Sequence, residues 1–128
     1  MAREVIHTDH APKAIGPYSQ AIKVDAGKMI FCSGQIPLIP ETGEMIQGGI
    51  VEQTQQVMKN LEAVLAAAGA TFANVVRCNI FVQDLNDFGT VNEIYGRSFP
   101  NDPPSRATVQ VARLPKDSLV EIDCIAVL

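Results

Sequence analysis

The chain has 128 residues, of which 47% are hydrophobic and 19% charged, and its formal net charge is −4 at pH 7. This length and composition are typical of one folded domain, residues 1–128, which buries a core without disulfides or a structural metal. They exclude intrinsic disorder. The acidic balance and the scattered Lys and Arg residues provide no basic surface, so we expect no nucleic-acid partner.

No apolar run approaches the roughly 18 residues that a membrane span needs, and the N-terminus lacks the apolar segment of a signal peptide. We therefore expect a cytoplasmic protein with no membrane contact. Cys32, Cys78 and Cys124 lie far apart in apolar, strand-like runs, which favours buried, reduced thiols over metal ligands. His7 and His10 fall in an exposed N-terminal stretch, so the sequence predicts neither a metal site nor a cofactor.

The first predicted elements are strands. Arg3–Thr8 is expected to form a short edge strand, and a Pro- and Gly-rich connector follows over residues 11–17 because Pro cannot donate to a strand ladder. Tyr18–Val24 and Lys28–Ile36 are then typical of two strands. The short link Asp25-Ala26-Gly27 between them predicts an antiparallel hairpin.

A loop and a long helix come next. Residues 37–49 are rich in Pro and Gly, which favours a loop. From Ile50 onward apolar residues recur at helical spacing, and Gly69 stands where a C-terminal cap would end an amphipathic helix. Its polar face is predicted to carry Glu52, Gln55, Gln56, Lys59 and Glu62.

The second half of the chain continues the alternation of strands and helices. Asn74–Asp84 has the period of a strand, and Asp84 or Asn86 is placed to cap a second, shorter helix. Two last strands, Ser105–Arg113 and Ser118–Leu128, are separated by four residues and predict a second hairpin. The apolar residues of the second helix are Phe88, Val91, Ile94 and Tyr95.

The element order predicts an α+β fold, a two-layer sandwich in which two helices cover one face of a mostly antiparallel sheet. The other face then exposes apolar side chains, among them Phe31, Phe81, Val109 and Val111. Too much apolar surface would face water, so we expect copies of the chain to pack these faces together in a closed ring. Any pocket would then be shared between subunits.

Arg106 has an unusual setting, directly after the bend Pro103-Pro104-Ser105 and at the mouth of a strand. A guanidinium there can bind a small carboxylate through two parallel hydrogen bonds. A surface ion pair with Glu93 or Asp102 fits the sequence equally well.

Glu121 and Asp123 interrupt an otherwise apolar terminal strand, on the side opposite its apolar residues. A carboxylate at an enclosed interface can act as general base on a water molecule, although a solvated or salt-bridged pair of strand acids is the commoner arrangement. Weaker candidates offer hydroxyl, backbone or amide groups near strand and helix ends: Tyr18, Ser33, Gly34 and Asn92.

Ordered motifs spread nearly end to end carry a resemblance to a known family. They are Ala14-Ile15-Gly16-Pro17-Tyr18-Ser19-Gln20, Ser33-Gly34-Gln35-Ile36-Pro37, Asn60-Leu61 with Ala67-Ala68-Gly69, Phe81-Val82 and Ala112-Arg113-Leu114-Pro115. Their combination resembles the Rid (YjgF) family of reactive-intermediate deaminases, and Arg106 and Glu121-Ile122 fall where that family carries its site. Thr108 departs from it, because many relatives have Cys at this position.

The resemblance implies a chorismate-mutase-like fold, a homotrimer and pockets between neighbouring subunits. It implies that Arg106 binds the substrate carboxylate and that Glu121 positions and activates water, without a cofactor. The expected substrates are 2-iminopropanoate and 2-iminobutanoate, released by pyridoxal-phosphate dehydratases acting on serine and threonine. The residues implied to line the pocket are Tyr18, Ser33, Gly34, Asn92 and the backbone of Thr108.

Two other functions remain open. A non-catalytic trimer that senses a 2-keto acid or related metabolite would also use Arg106, but a carboxylate such as Glu121 is a poor choice beside a bound anion. Ribonuclease activity or translation inhibition has been attached to the family, and the acidic balance of this chain argues against both.

Overall fold

The computed structural model of the chain describes residues 3–25 and 27–128. The elements within these residues are β1 (Arg3–Ile6), β2 (Ala21–Val24), β3 (Met29–Gln35), α1 (Ile50–Ala67), β4 (Val75–Val82), α2 (Phe88–Arg97), β5 (Ser105–Gln110) and β6 (Val120–Val127). Single 3₁₀ turns precede β4, α2 and β6. The predicted order of strands and helices is confirmed, including the edge strand at the start.

The principal sheet has four strands in the order β3-β6-β4-β5, and β1 and β2 form a separate antiparallel pair. β4 runs parallel to β5 and antiparallel to β6, which itself pairs antiparallel with β3. The α+β class with a mixed, mostly antiparallel sheet is therefore confirmed.

Both predicted hairpins are wrong. β2 pairs with β1, and β3 pairs instead with β6; Ala26, inside the first predicted link, lies outside the described residues. The second hairpin fails because β4, α2 and β5 form a parallel crossover unit, which places β5 along one edge of β4. The other edge of β4 is then taken by β6.

α1 ends as its sequence predicts. Gly69 has φ of +80°, and the N–H of Ala70 donates to the carbonyl of Leu65 at 2.9 Å, a pattern typical of a glycine-terminated helix. One residue of the predicted polar face is placed wrongly, since Gln56 is buried. Its amide donates to Asn60 Oδ1 at 2.9 Å, and Asn60 Nδ2 donates to the carbonyl of Leu38 at 3.0 Å, which ties the 37–49 loop to the helix.

The cap predicted before the second helix is also present. Asp84 Oδ1 accepts from the N–H of Asn86 at 2.9 Å and starts the 3₁₀ turn that continues into α2.

The core lies between the helices and one face of the sheet. Its fully buried side chains include Val57, Leu61 and Leu65 of α1, Val91 and Tyr95 of α2, Ile80 and Val82 of β4, and Val120 and Ile122 of β6. Side chains of alternate strand residues point to the other face, which we call the open face. Phe31 is 69% exposed there and Val109 45%, as predicted. In the described part of the chain, no helix combines the length and apolarity needed to cross a membrane.

Candidate functional site

Arg106 stands near the start of β5 and projects toward α2. The strand register pairs it with Cys78 of β4, whose side chain is buried beneath the helices, so Arg106 lies on the helix-covered face. Its Nη1 donates to Asn92 Oδ1 at 2.5 Å. The structure thus brings Arg106 and Asn92 together, two residues that the sequence singled out separately.

Three aromatic rings surround the Arg106 guanidinium. The ring centroids of Tyr95, Phe88 and Tyr18 lie 5.2, 5.5 and 5.6 Å from its Cζ atom. Tyr18 is held there by the connector before β2, because its hydroxyl accepts from the N–H of Ile15 at 3.3 Å. Contacts at these distances are in the range of favourable cation–π interactions. We call Tyr18, Phe88, Asn92, Tyr95 and Arg106 the cationic half-site.

The Arg106 guanidinium is partly buried, and this desolvation lowers its pKa from the ordinary value. It nevertheless remains charged, as arginine does throughout proteins. Among residues 3–25 and 27–128, no carboxylate forms an ion pair with it. A charged, partly desolvated guanidinium with one neutral hydrogen-bond partner is suited to an anionic ligand.

The surface ion pair that the sequence also allowed for Arg106 does not form with Glu93. Glu93 Oε1 accepts instead from Arg97 Nη2 at 2.9 Å, one turn further along α2. Asn92, one position before Glu93, faces Arg106, and the side chains of Glu93 and Arg97 are both largely exposed. The alternative with Glu93 is therefore wrong, and no ion pair in the described chain joins Asp102 to Arg106.

Glu121 lies on β6, opposite Phe81 of β4, while the adjacent Ile122 is fully buried in the core. Strand alternation therefore turns Glu121 to the open face, as predicted. The register of β3 shifts between Cys32 and Gln35, which brings Gly34 next to the Glu121 side chain. A Cβ atom on Gly34 would lie 2.9 Å from Glu121 Cδ, so a larger residue at this position would force the Glu121 carboxylate to move. We call Ser33, Gly34 and Glu121 the acidic half-site.

The two acids of β6 have different surroundings. Asp123 Oδ1 accepts from Asn79 Nδ2 at 2.8 Å, and Asn79 Oδ1 in turn accepts from Arg77 Nε at 3.3 Å. Glu121 makes no side-chain hydrogen bond within the described residues. Asp123 is thus engaged in a cross-strand contact, whereas the Glu121 carboxylate is available to a ligand or to water.

The cationic and acidic half-sites of one chain are far apart. Arg106 and Glu121 lie on opposite faces of the sheet, and their strands are two positions apart, which separates them by about 10 Å across the sheet. Their partners on β4, Cys78 and Phe81, are three residues apart, which adds a separation of about 10 Å along the strand. The chain by itself does not bring these two predicted residues together.

Thr108 is paired with Ile80 of β4 and shares the strand face of Arg106. Its Oγ1 is buried and has no hydrogen-bond partner within the described chain.

The sequence did not identify Phe88 and Tyr95 as site residues, because both were assigned to the apolar face of α2. The signal that could have found them is their spacing from Asn92, since positions 88, 92 and 95 share one helix face.

The cysteines and histidines lie where the sequence predicts. All three cysteines are buried free thiols, and burial raises the pKa of Cys78 to about 12, so that it stays protonated at neutral pH. His7 and His10 are exposed. The described residues contain no group of three or more His, Cys, Asp or Glu side chains arranged to hold a metal ion.

These features define a small α+β domain that carries a charged arginine with no carboxylate partner among the residues described. Comparison with known proteins identifies it further. A family model described as Endoribonuclease L-PSP matches residues 8–128. The chain is 66% identical over 127 residues to Protein DfrA of Myxococcus xanthus, covering 99% of this chain and 97% of that protein.

Two further relatives extend the comparison. Over 125 residues the chain is 53% identical to the 2-iminobutanoate/2-iminopropanoate deaminase of Mus musculus, covering 98% of this chain and 91% of that protein. The crystal structure of E. coli TdcF with bound serine matches with a TM-score of 0.75 at 44% identity, covering 98% of both chains. The chain therefore belongs to the Endoribonuclease L-PSP family, also called the YjgF/Rid family, which confirms the resemblance seen in its motifs.

Proposed function

We propose that the chain hydrolyses reactive 2-imino acids and their enamine tautomers to 2-keto acids and ammonia. The observation that carries the proposal is the Arg106 guanidinium, which is partly buried among three rings, fixed by Asn92 and free of any described carboxylate partner. Such a group can bind the carboxylate of a small acid through two parallel hydrogen bonds. The mouse relative named as a deaminase and the E. coli relative with bound serine support a ligand of this class.

The reaction follows from the chemistry of the imine. Arg106 binds the carboxylate, which fixes the neighbouring C2 atom, and C2 is already electrophilic because it is doubly bonded to nitrogen. Glu121 accepts a proton from a water molecule as the water oxygen attacks C2. Glu121 returns this proton to nitrogen, which gives a carbinolamine with one hydroxyl and one amino group on C2. A second proton then moves from the carbinol hydroxyl to the amino group as the C–N bond breaks, so that ammonia leaves and the carbonyl forms. An acceleration of about 10³-fold, roughly 4 kcal/mol of barrier, is within reach of positioning and electrostatic stabilisation.

A second copy of the chain is needed to bring Glu121 to Arg106, because the two half-sites of one chain lie on opposite faces. The exposed apolar residues Phe31 and Val109 of the open face support self-association. We therefore propose a homotrimer with a chorismate-mutase-like fold and a site at each contact between neighbours. The single chain has a concave region of about 200 Å³ beside Arg3 and another of about 490 Å³ beside Leu38. Neither is lined by Arg106 or Glu121, although Gly34 of the acidic half-site borders the second.

The proposed substrates are 2-iminopropanoate and 2-iminobutanoate. Pyridoxal-phosphate dehydratases that act on serine and threonine release them, so the protein would act directly after such an enzyme. Tyr18 and Asn92 of the cationic half-site, Ser33 and Gly34 of the acidic half-site, and the backbone of Thr108 are proposed to line the pocket.

The test couples the protein to a threonine dehydratase in the presence of semicarbazide, which traps the imine. Added protein should divert material from the semicarbazone of the imine to 2-oxobutanoate, and Arg106→Ala should abolish this effect. Arg97→Ala is the matched control, because Arg97 sits on the exposed side of α2 in an ion pair with Glu93. Equal activity of the Arg106 and Arg97 variants would contradict the site assignment.

A lack of diversion would favour a different function. If 2-oxobutanoate still bound the wild type and not Arg106→Ala, the chain would be a metabolite-sensing trimer. RNA cleavage by the same preparation, unchanged in Arg106→Ala, would favour the ribonuclease activity that the family description names. The net charge of −4 argues against that outcome.

A further inference from the structure

Tyr95 is the nearest of the three rings to the Arg106 guanidinium and the most deeply buried. Its centroid lies 5.2 Å from Arg106 Cζ, and the residue has no exposed surface. Its ring packs against Phe99 with centroids 4.7 Å apart. Phe88, by contrast, is 37% exposed and Tyr18 is half-buried. Tyr95 is thus the ring that the core holds in place.

α2 presents two different contacts to the same guanidinium. Asn92 accepts a hydrogen bond from Nη1 and so fixes one edge of the guanidinium, while the Tyr95 ring, three residues further along, lies beside the same group. One contact restricts rotation and the other supports the charge. Since both come from one helix turn packed on the core, they move together and keep the remaining guanidinium donors aimed in one direction.

The hydroxyl group of Tyr95 gives no structural reason for a tyrosine at this position. It is buried and has no nitrogen or oxygen partner in the described chain, and its neighbour is the thiol of Cys78. A buried hydroxyl without a good partner lowers stability. Cys78 is in turn paired with Arg106 on the adjacent strand, so the Tyr95 ring packs next to the arginine.

We propose that Tyr95 is a positioning residue for the reaction, acting through Arg106. Its ring forms a fixed support that holds the charged guanidinium in one orientation, so that the free donors meet the substrate carboxylate. The ring provides this support and the hydroxyl is dispensable for it. This inference rests on the proposed function, because it assigns a role within the same site.

The experiment compares Tyr95→Leu and Tyr95→Phe, with Val91→Ala as matched control. Val91 is also fully buried on α2, and its aliphatic side chain offers Arg106 neither a hydrogen bond nor an aromatic ring, so its variant reports lost packing. Tyr95→Leu is expected to raise KM for the imine, and Kd for 2-oxobutanoate, about tenfold, with kcat changed less than about threefold. Tyr95→Phe should stay within about twofold of the wild type in both. Val91→Ala should lower Tm and leave KM and Kd unchanged.

A second measurement is independent of turnover. The Arg106 Nε–H signal in a ¹⁵N–¹H spectrum, assigned by its loss in Arg106→Lys, should carry a ring-current shift in the wild type and Tyr95→Phe. The shift should be reduced in Tyr95→Leu, or in Tyr95→Met if the leucine variant fails to fold.

An unchanged Arg106 signal in the folded variant, or equal KM and Kd effects in Tyr95→Leu and Val91→Ala, would overturn the inference. Failure of the proposed function gives a different pattern. In that case the wild type produces no 2-oxobutanoate and binds none, while the Arg106 signal still responds to Tyr95→Leu.

Discussion

Arg106 and Glu121 stand on opposite faces of one sheet, separated by the intervening strand β4. Arg106 is in register with the buried Cys78 and Glu121 with Phe81, three residues further along the same strand. A substrate of three or four carbon atoms is shorter than this separation. If both groups act on one substrate molecule, they must come from different copies of the chain.

This geometry predicts complementation between two inactive variants. Arg106→Ala supplies an intact Glu121, and Glu121→Gln supplies an intact Arg106. When equal amounts of the two are unfolded together and refolded, the proposed trimers should contain both variants at random. About a quarter of the sites should then combine both intact groups, and about a quarter of wild-type activity should return. The measurement is imine trapping on the refolded mixture, and each variant refolded alone is the control. A mixture as inactive as its components would mean that one chain supplies both groups.

Asn92→Asp tests whether the proposed binding of an anion at Arg106 depends on the positive charge of that residue having no carboxylate partner. Asp is nearly isosteric with Asn, and its carboxylate would occupy the position of Asn92 Oδ1, 2.5 Å from Arg106 Nη1. The resulting ion pair should neutralise the guanidinium, weaken 2-oxobutanoate binding at least about tenfold and leave Tm unchanged or higher. Calorimetry and thermal unfolding measure the two effects. Asn92→Ala separates loss of the hydrogen bond from gain of the charge, and tighter binding in Asn92→Asp would contradict the assignment.

Phe31→Asp tests the role of the open face. Phe31 is 69% exposed on β3, so a charged residue there should cost little in the isolated chain but should disrupt an apolar contact between copies. Sedimentation is expected to show the 13.8 kDa single chain for this variant and a larger species for the wild type, with the same circular dichroism. Val51→Asp is the control, because Val51 is 40% exposed on α1, in the helical layer. A wild type that sediments as a single chain would contradict the trimer.

The faces of the strands could be predicted from the sequence, because alternation is a local property. Ile80 and Ile122 are buried while Phe81 and Glu121 point the other way, and the side chains of Arg106 and Thr108 share one face, as the pattern implies. Strand neighbours could not be predicted from short links alone. Residues 111–119, which include the 3₁₀ turn Pro115–Asp117, connect β5 to β6, yet β6 pairs with β3 and β4 and not with β5.

The strand-helix-strand order from β4 to β5 already favoured a parallel pair, since such a pair needs a crossover helix. The aromatic rings around Arg106 could not be predicted, for a different reason. Phe88 and Tyr95 have the spacing of core residues on a helix, and only the tertiary position of β5 shows that the same face also meets a guanidinium. Periodicity identifies which face of a helix is buried. The groups that this face packs against depend on contacts between residues distant in sequence.

Thr108→Val tests whether the side chain at this position takes part in the reaction. Thr108 Oγ1 is buried without a described partner, so a valine of nearly the same shape should remove a desolvation cost and raise the free energy of unfolding by about 1 kcal/mol. If the pocket uses only the backbone here, KM and kcat should be unchanged in Thr108→Val and in Thr108→Cys. A large loss of kcat in the valine variant, with recovery in Thr108→Ser, would instead assign a role to the hydroxyl.

Alkaline pH should destabilise the fold, because its buried thiol and phenol groups resist losing their protons. Burial raises the pKa of Cys78 to about 12, and burial likewise raises the pKa of Cys124 and of Tyr95. An unfolded cysteine loses its proton near pH 8.5. The stabilising contribution of Cys78 is therefore fully present below that pH and is lost progressively up to about pH 12, at about 1 kcal/mol per pH unit.

Urea unfolding between pH 8 and 10.5, with reductant present, measures this slope. Cys78→Ala should reduce this slope by about the contribution of one titrating group. The variant is itself less stable, because the substitution leaves a small cavity. The comparison therefore concerns the dependence on pH and not the absolute free energy of unfolding. A slope as steep in Cys78→Ala as in the wild type would mean that the Cys78 thiol already ionises in the folded protein near the pH at which it ionises in the unfolded chain.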